Sequence, residues 1–179
     1  MVVLEAALLV AVLVVAGSII VTTLRTGIGP MPSSRQARVA VVALLPESFE
    51  GEVYELGSGW GGLALAIARA APRSQVIGVE RSWVPLLWSR LRLRLSGVTN
   101  CRFQWADFQK LPLGSARAVV CYLFRGGMER LSPKLLSELA PGALVISNTF
   151  ALPGWSPEAS VVVRDLWNSR IYRYRRPAR

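Results

Sequence analysis

Hydrophobic and polar positions change period several times along the chain. Residues 6–24 are nineteen consecutive residues without a charge, and a helix rising about 1.5 Å per residue makes that long enough to span the hydrocarbon core of a bilayer. After the breaker-rich Gly27-Ile28-Gly29-Pro30-Met31-Pro32, short apolar runs alternate with helical spacing. Ser33-Ser34 reads as a helix start, and Ala37, Val39 to Val42 and Leu44-Leu45 carry the helix to Pro46. Residues 53–56 read as a strand and 63–71 as a helix of small and apolar residues stopped by Pro72. A second strand covers 75–80. Ser82 caps a helix to Leu95, with Pro85 tolerated in its first turn. In that helix Val84, Leu87, Trp88, Leu91 and Leu95 fall at helical spacing, so they are assigned to the buried face and Arg90, Arg92 and Arg94 to the outer one. Strands at 101–105, 118–124 and 143–147 follow, with Pro133 to Leu139 in a helix before the last. Residues 161–163 and 171–174 read as a terminal antiparallel hairpin.

Strands separated by helical segments predict an α/β domain with a parallel sheet and right-handed crossovers. The organisation expected is a transmembrane anchor at 1–25, a linker at 26–32, a folded domain at 33–175 and a basic tail at 176–179. The arginine-rich stretch from Arg173 onward looks disordered. Glu5 before the apolar run and arginines after it fit an uncleaved anchor rather than a signal peptide. Arg25, Arg35 and Arg38 on the C-terminal side place the domain in the cytoplasm, close under a single-pass inner membrane.

Composition narrows the chemistry. The chain has no histidine, which excludes histidine acid/base catalysis and histidine-ligated metal. Cys101 and Cys121 lie in apolar runs and read as buried free thiols, so no metal site is expected. The net charge of +10 leaves anionic lipid or nucleic acid as conceivable partners beyond a solvated surface.

The chemistry converges on Glu55-Leu56-Gly57-Ser58-Gly59-Trp60-Gly61-Gly62. Gly57, Gly59 and Gly62 satisfy the dinucleotide spacing after a strand, with Glu80 about twenty residues on. Glu55 decides against that reading, because a carboxylate beside a pyrophosphate would repel it. A cofactor carrying an ammonium and a sulfonium reverses the sign. The set therefore favours S-adenosylmethionine. Gly57, Gly59 and Gly61 admit it, Glu55 attracts its charge, Glu80 accepts from the ribose and Asp107 accepts from the adenine amino group.

These residues resemble the class I S-adenosylmethionine-dependent methyltransferases. The likeness implies a Rossmann-like seven-stranded sheet of order 3-2-1-4-5-7-6 with an antiparallel last strand. A narrower resemblance is carried by Pro30-Met31-Pro32, Tyr122-Leu123-Phe124, Leu131-Ser132-Pro133-Lys134-Leu135-Leu136 and the stretch from Phe150 through Trp155 to Pro157. It is to the small membrane-anchored group that includes the lysine methyltransferases of the ATP synthase c subunit and the adenine nucleotide translocase. That resemblance implies N-methylation of a lysine on a membrane protein. Tyr122, Asn148 and Trp155, with Phe124 and Phe150, are the candidates for positioning the acceptor, since aromatic faces hold an ammonium. Arg125 and Asn148-Thr149 depart from the group's pattern, and no helix fits between the fifth and sixth strands. The alternatives are a lipid, quinone-like or RNA acceptor, and a non-catalytic cofactor-binding assembly factor. The anchor and the want of a stacking-aromatic module argue against nucleic acid.

Overall fold

A computed structural model of the chain describes residues 4–6, 8–10, 13, 15–17, 32–166 and 168–178. Its centre is a seven-stranded sheet: β1 (Gly51–Leu56), β2 (Ser74–Glu80), β3 (Cys101–Trp105), β4 (Ala116–Cys121), β5 (Leu144–Asn148), β6 (Ala159–Val162) and β7 (Arg170–Arg175). The order is β3-β2-β1-β4-β5-β7-β6. The first five strands pair in parallel, while β7 runs antiparallel to both β5 and β6. Sheet order and direction agree with the expectation from sequence.

Alternation along each strand feeds two cores. Val53, Val76, Val120 and Ile146 point to the layer formed by α1 (Arg35–Ala43), α2 (Gly62–Ala70) and α3 (Trp83–Ser96). Leu56, Val79, Val119 and Val145 point to the opposite layer, where α4 (Arg125–Glu138) supplies Met128, Leu131 and Leu135. The crossovers at 106–115 and 149–158 contain no helix, in keeping with Pro112, Gly114, Pro153, Gly154 and Pro157. Single side chains fill the missing volume. Leu113 is fully buried, with its N–H on the Glu138 carboxylate, and Leu152 is buried with its N–H on the Tyr174 hydroxyl.

Several expectations are corrected. In α3 the face toward the sheet is Pro85, Leu86 and Ser89, with Leu93 half-buried; Leu87, Trp88, Leu91 and Leu95 are exposed and Val84 only half-buried. The reason is steric. The helix sits so close to the turn after β1 that a Cβ on Gly61 would lie 2.7 Å from the Ser89 Cβ, and only the face with a small residue at 89 permits that approach. α4 starts at Arg125, eight residues before Pro133, because Gly126 and Gly127 let the Phe124 ring fold back over the first turn. The C-terminal arginines are ordered through Arg176, which is buried, donates to the Leu136 carbonyl at 3.0 Å and extends the β5–β7 ladder through Ala143.

Of the expected anchor, residues 4–6, 8–10, 13 and 15–17 are described and helical; most of the linker lies outside the described residues. No helix among the described residues is long and apolar enough to cross a membrane. The chain enters the domain at the carboxyl end of the sheet. Ser34 caps α1 by accepting from the Ala37 N–H at 3.0 Å, and its hydroxyl donates to Asp165 at 2.9 Å. Asp165 in turn accepts from the Ser169 N–H at 2.9 Å, so one serine joins the first helix to the β6–β7 hairpin. Ser34→Ala is expected to lower unfolding free energy by about 1–2 kcal/mol in urea titration. The loss should be non-additive with Asp165→Ala.

Candidate active site

The turn between β1 and α2 is built by backbone bonds. Gly57 and Ser58 both donate to the Val79 carbonyl, at 2.9 and 3.0 Å, and Gly61 donates to Ser58 at 2.9 Å. This staples the turn to the end of β2. Gly59 has φ +51° and open space where a Cβ would stand, so the backbone there can be approached closely. Gly61 is glycine for a different reason. Its φ is +75°, and an added Cβ would lie 2.7 Å from both the Phe103 ring and Ser89. Phe103 also lies over Gly78, where a Cβ would stand 2.4 Å away. One ring thus wedges β3 against the turn, a role the spacing of glycines did not reveal.

Glu55 is 5% exposed and stands at the N-terminus of α2. Burial pushes its carboxyl up to about 8; the Ala64 N–H opposes this, and neighbouring Glu80 adds to it. Its Oε2 is buried without a hydrogen-bond partner. A buried carboxylate oxygen left in that condition is costly unless a cation reaches it. Glu55 is therefore both a helix cap and an unfinished cation site.

The next two strand ends carry the other acids. Glu80 is buried and accepts from Gly59 N–H at 2.8 Å and from Ser82 N–H at 2.7 Å, one bond to each oxygen. Each oxygen keeps a lone pair for ribose hydroxyls. Asp107 accepts from Gln109 N–H at 3.0 Å and pairs with Arg81 at 3.3 Å, which fixes its direction just beyond β3. A buried carboxyl with one unpartnered oxygen, an open glycine turn and two oriented carboxylates at successive strand ends fit the groups of S-adenosylmethionine. A pyrophosphate at this turn would instead face the Glu55 carboxyl and the Glu80 carboxylate, a repulsive pairing that Arg38 and Arg92 beside Gly62 offset only from the helix side.

The acceptor candidates divide. Tyr122 follows β4 and stacks on Phe150 at 6.5 Å between ring centres. Asn148, at the end of β5, is buried; it donates to Ser33 at 3.3 Å and accepts from Thr149. Thr149 has φ +70°, a strained position for a β-branched residue, which bends the chain back over the strand end. Trp155 is engaged elsewhere. Its indole N–H donates to Ser132 on α4 at 3.1 Å and its ring meets the edge of Tyr174 at 6.2 Å. Phe124 takes Arg130 over its face at 5.5 Å. Both cysteines are buried free thiols, and no acidic or thiol cluster able to hold a metal exists among the described residues.

Comparison with known proteins now decides the family. The family described as the ANTKMT methyltransferase domain matches residues 55–159, from the orphaned glutamate to the start of β6. The chain belongs to the ANTKMT methyltransferase family. It is an S-adenosylmethionine-dependent methyltransferase. A protein-lysine N-methyltransferase of Saccharolobus islandicus is 28% identical over 147 residues, covering 81% of this chain and 90% of that protein. The lysine N-methyltransferase of the ATP synthase c subunit from Xenopus laevis is 31% identical over 84% of this chain, which spans 66% of that protein's length. Among solved structures, an RNA methyltransferase of Salinibacter ruber in complex with S-adenosyl-L-homocysteine superposes with a TM-score of 0.76 at 25% identity. The alignment covers 83% of this chain and 95% of that one.

For this methyltransferase the raised pKa of Glu55 has a definite sign. Its folded value of about 8 lies above the ordinary value near 4.5. Folding thus favours the protonated carboxyl. That contribution is full at acid pH and fades as pH rises toward 8. Relative to Glu55→Gln, the cofactor-free wild type should lose about 3 kcal/mol of stability between roughly pH 5 and 7.5, read from urea titrations across pH. A bound cation takes the proton off, so calorimetry in buffers of different ionisation enthalpy should show proton release on S-adenosylmethionine binding below about pH 8. The glycines should separate as well. Gly61→Ala is expected to cost about 2 kcal/mol or more of stability. Gly59→Ala should cost only about 1–2 kcal/mol while weakening cofactor binding.

Proposed function

We propose that the enzyme is a membrane-anchored protein-lysine N-methyltransferase acting on a lysine of a membrane protein. The observation that carries the acceptor assignment is the likeness along most of the chain to two proteins named as lysine N-methyltransferases. Glu55, Gly57, Gly59, Gly61, Glu80 and Asp107 are assigned to the cofactor, Gly61 through the packing that shapes the turn. Glu55 Oε2 meets the ammonium end, Glu80 the ribose and Asp107 the adenine. When bound, S-adenosylmethionine supplies a methyl group activated on a sulfonium.

The rest of the chemistry is positioning. The acceptor lysine must shed its proton to solvent before it can attack, and the half-buried Tyr122–Phe150 pair offers an apolar edge where desolvation lowers an ammonium pKa. Asn148, held by Ser33 and Thr149, orients the rim of that edge. Trp155 acts one step back, fixing the 149–158 loop through Ser132. Ser132 in turn donates to the Pro153 carbonyl at 2.7 Å. Anchoring rests on the uncharged run of residues 6–24 and on Arg25, Arg35 and Arg38 after it, which favour a cytoplasmic domain at the inner membrane.

Membranes from a strain lacking this protein, incubated with labelled S-adenosylmethionine and the full chain, should yield a labelled polypeptide bearing methyl-lysine by mass spectrometry. Glu55→Gln should abolish the label. A product destroyed by nuclease and resistant to protease would instead favour RNA. That reading is supported by the Salinibacter ruber neighbour and the charge of +10. Alkaline carbonate extraction checks the anchor, the chain being expected in the pellet.

A further inference from the structure

We propose that the outward face of α3 is a second membrane contact, which lays the catalytic domain itself on an anionic lipid surface. The observation is the inverted amphipathicity of this helix. At roughly 100° per residue, Leu87, Leu91, Val84, Leu95 and Trp88 occupy one continuous arc opposite the buried Leu86 and Ser89, with Trp83 at the helix start beyond Arg94 on one side of it. The large members of that arc are 47% (Leu91) to 79% (Leu95) exposed. Trp105, at the end of β3, stacks on Trp83 at 5.4 Å with its indole N–H on the Arg81 carbonyl, which extends the apolar surface beyond the helix. An exposed stripe of this length needs an occupant in a stable protein.

The charge pattern selects lipid. Arg90 and Arg94 border one side of the stripe and Arg92 the other; the helix contains no acid, and none of the three is ion-paired among the described residues. Arg90 and Arg92 lean back to donate to the Phe103 and Trp60 carbonyls, at 3.2 and 3.1 Å. Their charge is thus held at the stripe's margins. Leucines and tryptophans flanked by arginines are what an interfacial helix presents to acyl chains and anionic headgroups. A second copy of this chain would bring the same unpaired arginines against each other. The described residues of the N-terminal helix do not cover the stripe, since Leu4, Leu8, Leu9 and Leu13 are themselves exposed. The inference rests on the proposed anchoring only for bringing the domain to a bilayer.

The test uses the full chain in vesicles of phosphatidylcholine with and without phosphatidylglycerol, with lipids brominated near the headgroup as quenchers. Comparison with a Trp83→Phe/Trp88→Phe/Trp105→Phe form isolates the signal of these three indoles. Quenching is expected with phosphatidylglycerol, weaker without it, and lost in Leu87→Glu/Leu91→Glu while that variant still floats with the vesicles. Leu95→Glu, at the most exposed position, provides the same reading should the double variant fail to fold. Indoles left unquenched in wild type that floats with vesicles would overturn the lipid contact and leave the anchor standing. Quenching that persists in the glutamate variants would also overturn it, as would a dimer dispersed by them without change in quenching. Flotation lost in the variants but not in wild type supports the contact and removes the anchor, and flotation by neither form removes both.

Discussion

The rest of the structure depends on one buried carboxylate. Glu55 sits near the end of β1, where desolvation disfavours its charged form and only part of its surroundings stabilises it. The Ala64 N–H at the start of α2 offsets some of the cost, and the second oxygen is left without a partner. Such a group is tolerated only when the elements around it are fixed by other means. They are. Gly57 and Ser58 are held to the Val79 carbonyl, Gly59 and Ser82 to the Glu80 carboxylate, and Gly61 by the Phe103 ring. The turn is preorganised in the arrangement a cationic ligand needs, so binding need not bear the entropy of ordering it.

In the second layer of the sheet the constraint is chain economy. Two crossovers without helices leave the sheet's second layer to α4 and to loops anchored by single polar contacts, Leu113 on Glu138 and Leu152 on Tyr174. The loop after β5 is held further by Ser132, whose hydroxyl lies between Trp155 and Pro153. Ser33 ties the start of the domain to the end of β5 through Asn148, and Ser34 ties it to the β6–β7 connection through Asp165. The segment that leads in from the N-terminus is thereby coupled to the carboxyl end of the sheet by two side chains.

Much of this could be read before the structure. Period-two runs broken by glycine and proline marked the strands. Glu55, Glu80 and Asp107 stood out because acids at successive strand ends have few structural explanations, and the structure sets them at or just beyond the ends of β1, β2 and β3. Two features could not be read that way. Helical spacing identified the apolar arc of α3 but not its direction, since Leu86, Leu93 and Ser89 form a second, narrower arc whose claim to the core rests on a close approach to Gly61 that no periodicity encodes. Trp155 stood out as an aromatic in a polar loop, yet its indole N–H is spent on Ser132, a partner separated by twenty-three residues. Long-range satisfaction of single polar atoms leaves no pattern along the chain.

The α3 correction also changes how the site relates to its surroundings. Arg92 borders the exposed apolar arc and donates to the carbonyl of Trp60, inside the glycine turn; Ser89, one turn earlier on the adjoining buried face, abuts Gly61. Arg81 precedes the helix and orients Asp107, while its own carbonyl takes the Trp105 indole N–H. The helix that presents leucine and tryptophan outward therefore holds the cofactor turn from one side and the third acidic residue from its start. A ligand on the outer face of α3 that shifted the helix would act on both, because packed contacts of this kind move together rather than deform singly. The chain enters at Ser33 beside Asn148, and Trp83 and Trp105 also stand at the carboxyl ends of the strands, so the exposed indoles share one end of the sheet with Glu55, Glu80 and Asp107. A domain resting on lipid through that end would meet its acceptor at the bilayer surface.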